Sequence, residues 1–383
     1  RLAFAKLPDD RRFIVVILRG GLDGLAAVPA HGDPDYASAR RSLALPKSGP
    51  GAPIDLDGFF GLHPSLHNLA QMWADKELAI FHNVSTPYRD RSHFDAQNVL
   101  ETGGTKPHLL NEGWLNRALA PLALDSGNGA LAVSSSPPLL LDGKVRVASW
   151  MPSRTPPPDE EFLARITALY AKDPVLSAGL KNALKTRAAA AMGMHDMTPD
   201  ASPQKPNGGP APGGIAPLME GAGKILAADD GPRVGVFDIT GWDTHSNQGA
   251  GDGQLARRLQ LLDEGLASLK TSLGPAWQKT AIVAASEFGR TVAANGTGGT
   301  DHGTAGIAFL FGGAVAGGNI HAEWRGLARS ALRDRRDLPA QTDTRAIFKA
   351  ALGDHLGVPK QVLEANVFPD SGAATAPKGL IRA

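Results

Sequence analysis

The chain has 383 residues, 42% hydrophobic and 20% charged, with a formal net charge of +1 and no cysteine. That apolar content excludes global disorder and fits one large α/β domain, and the even charge, with no basic stripe interleaved with aromatics, leaves no electrostatic footprint for nucleic acid. The lack of cysteine excludes disulfides and thiolate ligands, so any metal must be a Zn, Mg, Mn or Ca ion held by oxygen and nitrogen donors.

No stretch approaches the ~20 apolar residues of a membrane-spanning helix. Near the start, Ala3-Phe4-Ala5 ahead of Lys6 reads as the small-x-small end of a signal peptide. The expectation is a periplasmic or secreted protein with residues 1–5 as a remnant of its signal. Phe13–Leu18 is an unbroken apolar, mostly β-branched run, the pattern of a strand buried on both faces. It runs into Arg19-Gly20-Gly21-Leu22-Asp23-Gly24, a turn bearing one carboxylate. Residues 63–75 read as a helix with Leu66, Leu69, Met72 and Trp73 on one face, and Leu78–Val84 as a second strand. A polar loop from Thr86 to Phe94 enters a helix over 93–102 that Gly103-Gly104 closes. Residues 113–121 read as helical, and 130–133 and 144–148 as short strands at a sheet edge or in a hairpin.

Residues 151–217 break this rhythm. A Pro-rich entry from Pro152 to Pro158 precedes helical sequence through Ala191, and a Gly/Pro-rich stretch continues to Pro217. The expectation is an inserted helical cap and surface loop within a single domain spanning 6–383. The second half alternates helix 217–228, strand 233–237, helix 252–272, strand 281–285, strand 305–311 and helix 344–355. On the 252–272 helix, Leu255, Leu259, Leu262, Leu266 and Leu269 mark a core-facing stripe. The fold class is therefore α/β, a mostly parallel sheet with helices on both faces. Gly20-Gly21-x-x-Gly24 lacks the spacing of a dinucleotide fingerprint, and no phosphate-loop motif is present.

Acids and histidines gather just beyond the apolar strands. Asp238 is followed by Asp243 and His245, Glu287 stands in Ser286-Glu287-Phe288-Gly289, and His302 in Thr300-Asp301-His302-Gly303. Loops at the carboxyl ends of parallel strands converge on one crevice, so these residues point to a metal-assisted hydrolase site or its relic. Each also has an ordinary reading: Asp23 as a turn residue beside Gly24, Glu287 as a surface acid, His302 as a core histidine. Ser92 opens a helix, where an anionic oxygen is favoured, and Arg89 and Arg91 flank it as oxyanion binders. Ser92 equally suits a plain N-cap, and His93 suits a ligand, a general acid or a solvent-facing position.

From Arg233 to Phe311 these spacings resemble the alkaline phosphatase superfamily, which includes sulfatases and cofactor-independent phosphoglycerate mutases. The whole chain resembles DUF1501, an exported family placed near the sulfatases. The carrying motifs are Leu18-Arg19-Gly20-Gly21-Leu22-Asp23-Gly24, Arg91-Ser92-His93-Phe94-Asp95-Ala96-Gln97, Asp243-Thr244-His245-Ser246, Ser286-Glu287-Phe288-Gly289-Arg290-Thr291 and Thr300-Asp301-His302-Gly303. The resemblance implies an alkaline-phosphatase-like fold, twin-arginine export, and a hydrolase of phosphate or sulfate esters with one or two divalent ions. It implies Ser92 as nucleophile, with Asp23, Ser92 and Glu287 around one ion and Asp243, His245 and His302 around the other. Asp238 falls behind the ligands or on a third ion. Phe288 stands where the superfamily has a histidine, which weakens one ion site. The other class in view is a degenerate phosphatase fold acting as an exported binding or assembly factor.

Overall fold

The computed structural model describes residues 10–122, 124, 129–152, 159–191 and 214–382. The expected signal remnant at 1–5, and most of the expected Gly/Pro-rich stretch before Pro217, lie outside the described residues.

The apolar run at 13–18 becomes strand β1 (Arg12–Arg19). Its side chains alternate between two hydrophobic clusters, Ile14, Val16 and Leu18 in one and Phe13, Val15 and Ile17 in the other. A strand with both pleats buried must lie mid-sheet beneath a helical layer on each side. Helices α1 (Gly24–Ala27) and α2 (Tyr36–Arg40) follow, then the small antiparallel pair β2 (Ile54–Asp55) and β3 (Gly61–Leu62), helix α3 (His67–Ala74) and strand β4 (Leu78–Ser85). Next come α4 (His93–Thr102), α5 (Trp114–Leu119), β5 (Ala130–Val133) and β6 (Ala148–Ser149). Helices α6 (Glu160–Tyr170), α7 (Pro174–Ala191) and α8 (Ile215–Ala227) lead to β7 (Val234–Thr240) and α9 (Gln254–Leu273). Strands β8 (Thr280–Ala285), β9 (Gly306–Phe311), β10 (Asn319–His321) and β11 (Thr342–Asp343) precede α10 (Thr344–Ala350).

The central sheet runs β10-β4-β9-β8-β1-β7-β5-β6, and β11 adds to the far end of β4. Strand β9 is antiparallel to both β4 and β8, and the other pairings in this sheet are parallel. The reason is the connection. The long connection 286–305 contains no helix, the usual means of a parallel crossover. Helices α3, α8 and α9 cover one face, with the leucine stripe of α9 wholly buried, and α5 and α10 cover the other.

Three local expectations change. Strand β6 lies at the sheet edge and runs parallel to β5, so the two are no hairpin. Strand β7 continues through Thr240, which puts Asp238 inside the strand rather than at its end. The last helix is α-helical only to Ala350 and continues as a π-helical turn over Ala351–His355.

This topology sets up the site. The carboxyl ends of β1, β7 and β8 lie side by side because the three strands are parallel neighbours. Antiparallel β9 begins at that same edge, and β4, running against β9, ends there. Five strand ends, joined to four loops, therefore share one rim.

Candidate metal centre

Loop 241–245 after β7 carries Asp243 and His245, loop 286–305 before β9 carries Glu287 and His302, and α4 begins with His93. These five side chains meet. His93 Nε2 lies 3.5 Å from Asp243 Oδ2, and His302 Nε2 lies 3.6 Å from Asp243 Oδ1. His245 Nε2 is 3.1 Å from Asp243 Oδ1 and 2.9 Å from His302 Nε2. One donor atom each from His93, Asp243 and His302 falls within a 4.8 Å sphere of mutual separation.

The imidazoles are held from behind. His93 Nδ1 is 2.7 Å from Glu287 Oε1, His302 Nδ1 is 2.9 Å from the Arg91 carbonyl oxygen, and His245 Nδ1 is 3.5 Å from Asp301 Oδ1. The acceptors behind His93 and His302 favour the Nδ1–H tautomer, which turns Nε2 toward Asp243. His93 Nε2 is buried and has no hydrogen-bond partner. Two Nε2 atoms 2.9 Å apart need a proton or a cation between them. His93, Asp243 and His302 make a donor set that fits one divalent ion, with acceptors behind the His93 and His302 rings and His245 Nε2 beside it.

Electrostatics agree with the geometry. Burial works to raise the pKa of Glu287, but hydrogen bonds from His93, its own backbone, Gln97 and Ser286 outweigh it and keep the carboxyl below the usual range. Burial opposes protonation of His93 too, and Glu287 overrides it, raising that pKa. At His302 burial prevails and the pKa falls. Asp243 is held low against its partial burial by the Arg290 guanidinium, its direct partner.

Of the other expected residues, Asp23, Asp238 and the Arg91 guanidinium turn away from this cluster. Asp23 is buried, its Oδ2 taken by Arg40 at 2.6 Å and Gln248 at 2.8 Å, while its Oδ1 caps α1 at Ala26. Asp238 receives Arg19 Nε at 2.7 Å. The Arg91 guanidinium turns to Asp337 at 2.8 Å and Asp334 at 3.0 Å, so only its carbonyl serves the cluster. Ser92 precedes α4 but makes no side-chain cap bond, and its hydroxyl meets the Tyr88 phenol. Phe288 packs against His93 and His302 with ring centroids 4.7 and 5.0 Å away. Glu287 lies within the group, but all its oxygens face inward: Oε1 accepts from Gly20 N–H and Gln97, and Oε2 from Ser286. It backs His93 rather than facing the ion position. Asp23 and Asp238 are in ion pairs with arginine, and among the described residues one group of donors, His93, Asp243 and His302, could hold an ion.

The family model described as "Protein of unknown function (DUF1501)" matches residues 10–367. The chain belongs to the DUF1501 family. No curated protein matches this DUF1501 chain. It is similar to the solved structure of Ps i-CgsB at 13% identity, covering 95% of this chain and 75% of that one with a TM-score of 0.45. It is similar to the C-terminal periplasmic domain of EptC from Escherichia coli at 12% identity, covering 99% and 95%, TM-score 0.41. It is also similar to the phosphonate monoester hydrolase of Agrobacterium radiobacter at 11% identity, covering 91% and 74%, TM-score 0.37. The expected α/β class, a mostly parallel sheet with helices on both faces, holds.

Sequence reasoning gave no role to three residues of this DUF1501 chain. Arg290 is buried under Asp243 and donates to the carbonyls of Gly21 and Thr300 at 2.8 and 3.2 Å. Gln97 shares a helix face with His93, four residues on, and that spacing is the signal that could have found it. Gln248 accepts from the hydroxyls of Thr244 and Thr300, each at 2.8 Å, and so ties the loops of His245 and His302 together.

Proposed function

We propose that this protein is a hydrolase of phosphate or sulfate esters that works with a single divalent cation, in the periplasm or outside the cell. The observation that carries the reading is the convergence of His93, Asp243 and His302, one donor atom from each within 4.8 Å of the others, with His245 Nε2 2.9 Å from His302 Nε2. His93, Asp243, His245 and His302 would hold the ion. Bound there, it would supply Lewis acidity toward an ester oxygen. Glu287 fixes the ring of His93, and Arg290 keeps Asp243 ionised. Ser92 is the nucleophile in this reading. It sits between the carbonyl that orients His302 and the ring that faces Asp243, beside the N–H groups that open α4. Export rests on the family resemblance. Within the described residues no helix is long and apolar enough to cross a membrane.

A second reading has its own support. Asp23 and Asp238 are neutralised by Arg40 and Arg19, and an apolar ring, Phe288, lines the cluster. Those features favour an exported binding or assembly factor that keeps the fold but not the turnover.

One experiment separates the two. The metal-free protein is titrated with Zn, Mn, Mg and Ca and then assayed on phosphate monoesters, phosphate diesters and sulfate esters. One tightly bound ion, lost in Asp243→Ala, together with ester turnover that Ser92→Ala abolishes, supports the hydrolase. One ion without turnover favours the binding factor. No tight divalent binding, with no effect of Asp243→Ala, defeats both forms of the metal centre.

A further inference from the structure

Beside the metal cluster lies a cavity of about 610 Å³, within the size range of small-molecule sites. The two share walls. Asp301, which lines the cavity, faces His245 Nδ1 at 3.5 Å. Asn295, on the same wall, donates to the His245 carbonyl at 2.9 Å, and Arg336 donates to the His302 carbonyl. A molecule whose reacting group sat at the cluster would extend into this space.

Its unpaired charge is mostly positive. Four arginines line it, Arg41, Arg329, Arg335 and Arg336, against the carboxylates of Asp35, Asp301 and Asp334. Asp301 is engaged by Asn295 and His245, and Asp334 by Arg91 and Arg333. Among the described residues, Arg41, Arg329 and Arg335 have no ion pair, and of the carboxylates only Asp35 is similarly free. Arg41, Asp334 and Arg335 also adopt positive φ of 55°, 51° and 55°. That conformation is uncommon for residues with a Cβ, and it recurs where a binding surface fixes the backbone. Guanidinium groups without partners, grouped around one concave space, match the oxygens of sulfate or phosphate by bidentate hydrogen bonding.

We infer that this cavity is a subsite for a second oxyanion on the substrate, so that the preferred ester is one group of a polysulfated or polyphosphorylated molecule. The word "substrate" rests on the hydrolase reading above, whereas the anion site rests on the arginines alone. The full chain is titrated calorimetrically with inorganic sulfate, tripolyphosphate and a multiply sulfated disaccharide at low and raised salt. Asp243→Ala and the triple variant R41Q/R329Q/R335Q are titrated alongside. Tripolyphosphate or the disaccharide should bind more tightly than inorganic sulfate, and binding should weaken with salt. The triple variant should lose about tenfold or more in affinity, because charge-assisted contacts are removed. Tighter binding of tripolyphosphate alone assigns a phosphate ligand, and of the disaccharide alone a sulfated one. Polyanion affinity equal in the wild type and the triple variant overturns the inference, as does failure of both polyanions to bind. If circular dichroism shows the triple variant misfolded, the single variant R335Q takes its place under the same criterion. Polyanion binding equal in the wild type and Asp243→Ala, together with a wild type that takes up no divalent ion, would sink the hydrolase while leaving the subsite standing.

Discussion

Asp23 and Glu287 are both buried carboxylates at the rim of the sheet, yet their partners give them different work. Asp23 is closed against Arg40, a guanidinium as inaccessible as itself. Removing one member of a buried pair leaves the other charge without compensation, at a cost of about 3–5 kcal/mol. Asp23→Ala should therefore lower unfolding stability in urea by that amount and leave metal stoichiometry as in the wild type. A full loss of metal binding in a folded Asp23→Ala protein would return Asp23 to the ligand set. Glu287 acts through His93. Glu287→Gln keeps the shape but removes the charge that draws the imidazole proton to Nδ1. Loss of such a backing carboxylate typically weakens metal binding about 10–100-fold. Competition titration against a chelator measures it, and an unchanged affinity would reduce Glu287 to packing.

Helix α4 shows how an element delivers chemistry. His93 and Gln97, one turn apart, both reach Glu287, and the helix ends at Gly103 in the left-handed region at φ 67°. A Cβ there would stand 2.6 Å from Phe368 Cδ1. Gly103→Ala combines strain with overlap and should destabilise the protein by about 1–3 kcal/mol, read as a lower thermal midpoint. The Gly103-Gly104 stop was legible in the sequence, as were β1 and β8, because strands buried on both faces leave unbroken apolar runs. Strand β7 read short because Asp238 looks like an end, whereas its carboxylate is taken up by Arg19 of the neighbouring strand. The direction of β9 was hidden because it depends on a connection and not on composition. The loops bearing Asp243, His245, Glu287 and His302 could be read as converging from strand order alone. The ion pairs that withdraw Asp23 and Asp238 could not, since Arg40 and Arg19 look like surface residues until the sheet brings them inward.

At the scale of the whole molecule, two buried histidines outside the cluster couple the fold to pH. His82 lies inside β4, its Nε2 donating to the Val28 carbonyl at 3.1 Å and its Nδ1 accepting from Asn83 N–H. His355 closes the π-helical turn and bonds the carbonyl of Arg12 on β1 at 2.8 Å. Burial pushes each pKa down to about 4, and the hydrogen bonds recover only part of that shift. In the unfolded chain both titrate near 6.5. Between those values the unfolded state binds more protons than the native state, so stability falls as pH falls. Above about 6.5 neither state is protonated and the effect vanishes, and below about 4 the loss is complete. Each histidine accounts for a loss on the order of 3 kcal/mol, against a typical domain stability of about 5–15 kcal/mol. His63, His302 and His321, whose pKa values burial also lowers, add in the same direction, and His93, raised by Glu287, opposes them. The depressed carboxylates act in a lower window, because their unfolded values lie near 4. Urea midpoints of the wild type should thus drop steadily from about pH 7 to about pH 4.5, and a His82→Gln/His355→Gln double variant should follow a flatter line. A wild-type midpoint that holds level across that range would show that these two rings are solvated or already charged in the native protein, contrary to their place in the core.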